Sequence, residues 1–180
     1  MVQRKTSNEL DWPAAIHRAL RSHGVKQVSY VPDAGHKTLI DLCHSDKTMT
    51  AVPLTSEEEG IGLAAGAWLG GERAVLLMQS SGVGNCVNAL TLSTNCGLPI
   101  LMLVTMRGEW GEFNPWQVPM GQTTPGVLQL GGVRTLRLER REDAFDAVDS
   151  AARLAFDGYS AAAVLIAQRL IGAKSFGEKP

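Results

Sequence analysis

TSEEEGIGLAAGAWLGG, residues 55–71, followed almost at once by VLLMQSSGVGN, residues 75–85, is the stretch from which the fold can be read. It spells a helix with three adjacent glutamates at its start, then a buried strand, then a glycine-containing turn into another helix. A carboxylate set against an apolar, close-packed helix is costly unless something cationic or protonated meets it. Ser56 and Glu59 stand at capping-box spacing, and acidic side chains favour a helix N-terminus, so helix structure alone accounts for Glu59. Glu57 is different, because it opens the face of Ile61, Ala64 and Trp68. Glu58 lies over Gly62, Ala65 and Gly66, where a second backbone could approach closely. One of these acids is expected in a dry contact, and a dry carboxylate suggests a site.

Outward from this block the chain repeats a rhythm of helix and short apolar strand. Asp11 and Pro13 can start a first helix, with Ile16 and Leu20 on one face and Gly24 stopping it. Strands are expected at 26–31, 48–54, 73–79, 98–105, 135–138 and 160–167. Besides the glutamate-rich helix, helices are expected at 36–44, 84–96, 141–156 and, weakly, 123–130. Residues 107–121, rich in Trp, Pro and Gly and without period, read as a long functional loop. Near-continuous apolar strands alternating with helices give an α/β fold: an open, mainly parallel sheet with helices on both faces. Ligands in such sheets bind beyond the carboxyl ends of the strands. Segments 32–36, 55–57, 79–85 and 105–112 all fall there. No repeat or linker divides the chain, so a single domain is expected over 1–170, with a loose tail at 171–180.

Composition removes several function classes. Seventeen basic and eighteen acidic residues leave a formal charge of -1, so there is no electrostatic case for nucleic acid or an anionic membrane. The apolar runs are too short to span a bilayer, and the N-terminus lacks the apolar core of a signal peptide. Cys43, Cys86 and Cys96 lack metal-ligand spacing and read as reduced thiols of a cytoplasmic protein. The four histidines form no metal-type cluster; His17 and His23 are expected to be exposed, and only His36 lies where strands end. A solvated or capping role stands beside a site role for His36. Arg107 directly follows a buried strand and could meet an anion or be an ordinary surface residue. The turn at 79–85 matches neither G-x-G-x-x-G nor the lysine-containing P-loop, and a cradle of backbone N–H groups and a plain tight turn are both open readings. The lack of a nearby phosphate lysine argues against a flavodoxin-like nucleotide module.

SEEEGIGLAAGAWLGG, MQSSGVGN, the earlier VPDAG and the later MRGEW and PWQVPMGQ resemble the pyrimidine-binding (Pyr) domain of thiamine-diphosphate-dependent 2-oxoacid decarboxylases. Within that superfamily they look like the sulfopyruvate decarboxylase alpha subunits and the related phosphonopyruvate decarboxylases. The resemblance covers most of the chain. In the superfamily a glutamate stands nine positions before the glycine of a small-residue helix, and counting back from Gly66 gives Glu57. The resemblance implies that Glu57 hydrogen-bonds N1′ of the cofactor's aminopyrimidine and so promotes loss of the thiazolium C2 proton. The cofactor then serves as electron sink for release of CO₂. Burial suits this role, because a dry carboxyl group can share a proton with the ring.

The same resemblance assigns Pro32, Ser80, Val83 and Asn85 to cofactor binding and sets Asp33 and His36 near where relatives place proton-transfer residues; position after strand ends alone makes His36 and Arg107 candidates for the substrate's anion. No Gly-Asp-Gly metal motif occurs in the chain, and no metal ligand is expected in it. The family pattern therefore implies a partner beta subunit holding Mg²⁺ and the diphosphate, in an α₂β₂ or larger assembly. The expected reaction is decarboxylation of an anionic 2-oxoacid such as 3-sulfopyruvate. Phosphonopyruvate, another 2-oxoacid, or a non-catalytic Pyr-like subunit are the alternatives.

Overall fold

The computed structural model describes residues 11–172. Nearly all of the expected tail therefore lies outside the described residues. In chain order the elements are α1 (Trp12–Ser22), β1 (Val25–Tyr30), α2 (Lys37–Ser45), β2 (Thr50–Pro53), α3 (Glu57–Leu69) and β3 (Arg73–Gln79). There follow α4 (Val83–Cys86), α5 (Thr91–Cys96), β4 (Ile100–Thr105), α6 (Val118–Leu130), β5 (Arg134–Leu138), α7 (Ala144–Phe156), β6 (Ala161–Ile166) and α8 (Gln168–Ile171). The six strands form one sheet in the order β2-β1-β3-β4-β6-β5, and every pairing is parallel.

The strand sequences explain this order. β4 and β6 are buried along their whole length and β3 along all but its ends, as the apolar runs ILMLVT, AAAVLI and RAVLLMQ require. Alternate side chains serve opposite faces. Val75, Leu77, Leu101, Leu103 and Val164 join Ile16 and Leu20 of α1, Leu39 of α2 and Val148 of α7 in one core cluster. Leu76, Met78, Met102, Val104 and Leu165 join Ile61 of α3, Val83 of α4 and Leu128 of α6 in the other. Gly60 lets α3 lie hard against Leu76, where any Cβ would collide. Burial pushes the thiols of Cys43 and Cys86 up to about 12, so both are inert packing groups. No helix among the described residues is long and apolar enough to cross a membrane.

Three expectations need correction. The helix expected at 84–96 is broken into α4 and α5 by a turn at residues 87–90, where the Asn88 carbonyl accepts from the Thr91 N–H and Oγ1. The loop expected at 107–121 ends early, because α6 starts at Val118 with Pro119 in its first turn. His17 and His23 are not exposed: their side chains are largely covered and lie against Asp46 and Asp149.

Candidate active site

The sheet order places a topological switch between β1 and β3, because the chain runs from β1 out to β2 and returns past β1 to β3. A crevice is expected beyond the carboxyl ends of the strands at such a point. A cleft of about 110 Å³ is found there, lined by Val31, Pro32 and Asp33 after β1, Glu57 after β2, and Gln79 and Ser81 at the end of β3.

Glu57 is the centre of this cleft. It is the first residue of α3, and only 8% of its surface is exposed. Ser56 and Glu59 make the reciprocal capping box, and Glu59 also accepts from the Thr55 N–H at 2.9 Å. Glu59 is thereby occupied by the backbone, Glu58 faces solvent, and Glu57 alone turns inward. Its Oε2 accepts from Asn85 Nδ2 at 2.8 Å. Its other oxygen rests on the bare Cα of Gly82, where an added Cβ would overlap the carboxylate. Gly82 has φ −72°, which any residue adopts, so contact with Glu57 and not backbone freedom demands glycine here.

A second carboxylate flanks the first. Asp33 Oδ2 accepts from Thr105 Oγ1 at 2.5 Å and Oδ1 from Gln79 Nε2 at 3.0 Å. Gln79 in turn accepts from Ser81 Oγ at 3.0 Å. The rotamer of Asp33 is therefore fixed from β3 and β4, and its tight turn leaves Gly35 no room for a side chain.

The other sequence-marked residues stand behind the cleft or beside it. Ser80 is fully buried, its Oγ accepting from the Arg107 N–H at 3.1 Å and its carbonyl from Thr124 Oγ1 at 3.2 Å. Val83 is fully buried in the core beside Ile61. His36 is fully buried too, with Nε2 on the Leu103 carbonyl at 3.0 Å. Burial holds the His36 pKa below its ordinary value despite the opposing charge of Asp33, so the ring stays neutral near neutral pH. Arg107 does not face the cleft freely: its guanidinium forks onto Glu112 with two bonds of 2.6 Å. That pairing, helped by N–H donors of Asn114 and Gly108 and by the Gln168 amide, pulls the Glu112 pKa down to about 2. The loop from Arg107 to Asn114 is thus organised around its own acid.

Sequence reasoning did not single out Gln79, Ser81, Gly82, Thr105, Glu112 or Gln168. The first five lie within the segments marked by strand ends, but their roles depend on contacts between segments. Gln168 follows the last strand and carried no signal at all.

Comparison with known proteins agrees with this geometry. Residues 12–129 match the family model of the thiamine pyrophosphate enzyme, N-terminal TPP binding domain. The sulfopyruvate decarboxylase subunit alpha of Methanococcus maripaludis is 35% identical over 153 residues, which cover 84% of this chain and 92% of that protein. A phosphonopyruvate decarboxylase of Streptomyces viridochromogenes is 38% identical over 119 residues, covering 65% of this chain but 30% of that protein. A 2-oxoglutarate:ferredoxin oxidoreductase from Magnetococcus marinus shares the fold, with a TM-score of 0.74 at 16% identity over 89% of this chain and 29% of its own. By sequence match along most of its length and by fold, the chain belongs to the thiamine pyrophosphate enzymes, in the family of the sulfopyruvate decarboxylase alpha subunits.

Proposed function

We propose that this chain is the alpha subunit of a cytoplasmic thiamine-diphosphate-dependent decarboxylase that converts 3-sulfopyruvate to sulfoacetaldehyde and CO₂. The observation that carries the reading is the Glu57 carboxylate, buried, held by Asn85 and seated on Gly82 in the switch-point cleft. This arrangement fits an aminopyrimidine edge: a desolvated acid with a fixed rotamer can share a proton with a ring nitrogen. When bound, thiamine diphosphate supplies the electron sink for the loss of CO₂.

The chain's own residues have distinct parts in this reading. Glu57 holds the shared proton, Asn85 sets its orientation, and Gly82 leaves the space for it. Pro32 bounds the cleft, while Ser80 and Val83 support its floor from behind. Asp33, fixed by Gln79 and Thr105, presents a hydrogen-bond acceptor beside Glu57 and is the group placed to handle a substrate proton. Neutral His36 steadies the base of that turn through the Leu103 carbonyl, and Arg107 secures the loop after β4 through Glu112.

A partner subunit belongs to the proposal. The alpha-subunit naming of the relatives supports one, and so does the shape of the cleft. Pro32, Ser81 and Asn85 are exposed at its rim, and Gly62 and Gly66 of α3 face open space. The partner is proposed as a beta subunit that brings Mg²⁺ and the diphosphate site, in an α₂β₂ or larger assembly. The match over 84% of this chain to a sulfopyruvate decarboxylase alpha subunit, against 65% for a phosphonopyruvate decarboxylase, favours sulfopyruvate as substrate. The test is reconstitution with the candidate partner, thiamine diphosphate and Mg²⁺, followed by CO₂ release from 3-sulfopyruvate and phosphonopyruvate in parallel. Release from sulfopyruvate that depends on the cofactor and is lost in Glu57→Gln supports the reading. Cofactor-independent release, or a higher kcat/KM for phosphonopyruvate, overturns it.

A further inference from the structure

The sheet order contains a second reversal. The chain runs from β4 out to β5 at the sheet edge and returns to place β6 between them. The carboxyl ends of β4, β6 and β5 therefore flank a second switch point, and the rule that ligands occupy such crevices applies to it equally. A cavity of about 560 Å³ lies there, within the range of roughly 300–1,000 Å³ common for small-molecule sites. It shares no lining residue with the Glu57 cleft.

Its lining sets three arginines against two glutamates, beside an aromatic wall. Arg137, Arg140 and Arg169 line it beside Trp110, against the carboxylates of Glu109 and Glu139. Arg137 is neutralised by Glu109 through two bonds of 2.6 Å. Arg140 is held by Asp143 at 2.7 and 3.0 Å, which uses two of its five N–H donors. Arg169 has no carboxylate partner among the described residues; its guanidinium lies 4.2 Å from the Trp110 ring centroid. That contact consumes none of the Arg169 N–H donors, and no hydrogen bond or ion pair takes them among the described residues. Trp110 itself is 52% exposed, a large apolar surface to leave uncovered without a ligand to meet it. The Trp110 and Glu109 N–H groups are fixed on Gln168 Oε1 at 3.0 and 2.9 Å, so this wall is built and not floppy.

We propose that this second crevice binds a small organic anion carrying a phosphonate, sulfonate or carboxylate group. The in-plane donors of Arg169 and the spare donors of Arg140 take the oxyanion, and Trp110 covers the apolar part. Guanidinium forks match the geometry of all three anions. The site stands independently of the reaction proposed for the Glu57 cleft.

The test is an NMR titration of the full chain, following the Trp110 indole and the Arg169 Nε–H resonances. The probes are methylphosphonate, methanesulfonate and acetate, each at constant ionic strength balanced with chloride. Saturable shifts are expected for at least one probe, with Kd on the order of 1 mM for an exposed arginine site. Arg169→Ala and Arg140→Ala should each weaken binding about tenfold or more, while Glu57→Gln leaves it unchanged. Arg137 is spared because its removal would strand Glu109. Shifts that follow ionic strength alone, or affinities unmoved in both arginine variants, overturn the proposal. The relative strength of the three probes decides which anion the crevice prefers.

Discussion

Glu57 and Gly82 constrain each other, and that pairing can be separated from every other feature of the site. An added Cβ at position 82 lands on the Glu57 carboxylate, at 2.6 Å from Cγ, while the backbone there is ordinary helix. Gly82→Ala should therefore cost about 1–3 kcal/mol through overpacking alone. The cost should vanish in the Glu57→Ala background, where the colliding group is gone. Thermal or urea denaturation of the two single variants and the double variant measures the coupling. Additive effects would mean that the collision is relieved elsewhere. Chemistry at Glu57 calls for a different pair of variants. Glu57→Gln preserves the volume and the Asn85 contact but cannot share a proton as a carboxyl group does. In the assembled enzyme it should lower kcat on the order of a hundredfold or more. Glu59→Gln should cost only helix stability, about 1 kcal/mol or less, since its oxygen serves the Thr55 and Ser56 N–H groups. Exchange of the C2 proton of bound cofactor distinguishes them: it slows in Glu57→Gln and is unaffected in Glu59→Gln.

At the scale of elements, the loop between β4 and α6 depends on one ion pair. The side chains of Arg107 and Glu112 are 11% and 3% exposed, and their bidentate contact is reinforced by Gln168. Glu112→Gln leaves the guanidinium buried and unpaired, so a loss of about 3 kcal/mol is expected. The Glu112 pKa is lowered from 4.5 to about 2, so its contribution is complete above pH 4.5 and is lost as pH falls toward 2. The stability gap between wild type and Glu112→Gln should accordingly be flat above pH 4.5 and close on acidification; urea melts across that range measure it. A gap that widens in acid would place the stabilisation on another group. This loop also shows where sequence reading reached its limit. Regular elements with strong apolar runs, such as β3 and α3, were legible because burial on both faces or a capping box leaves a pattern in adjacent residues. The helix expected at 123–130 misses the first turn of α6, where Pro119 and Gly121 have the character of loop residues. Gly121 is there so that the helix can touch the Arg107 carbonyl, a contact made across the loop. Glu57 could be singled out from helix periodicity and family spacing. The partners of Asp33 come from β3 and β4, and nothing local in the chain announces them.

For the molecule as a whole, the two reversals of strand order divide the carboxyl edge of the sheet into two crevices of different charge make-up. One presents two carboxylates, Glu57 and Asp33; the other sets three arginines against Glu109 and Glu139, with Arg169 left without a carboxylate partner among the described residues. A chain with net charge -1 has little long-range field, so this local segregation governs which ligand each crevice meets. The acidic crevice repels a diphosphate and offers only about 110 Å³, far below the roughly 300–1,000 Å³ of a complete small-molecule site. It can grip one ring of an extended cofactor but not the cofactor's anionic end. The full chain by itself should therefore bind thiamine diphosphate weakly even with Mg²⁺ supplied, and tight binding should emerge only with the proposed partner subunit, which would close the rim at Pro32, Ser81 and Asn85. Calorimetry on the chain, on the partner and on their mixture tests this directly. A Kd on the order of 1 μM or tighter for the chain alone would overturn the two-subunit site. Tight binding by the mixture that weakens in Asn85→Ala, a substitution at the exposed rim that frees the Glu57 carboxylate, would locate the cofactor at the acidic crevice and between the two chains.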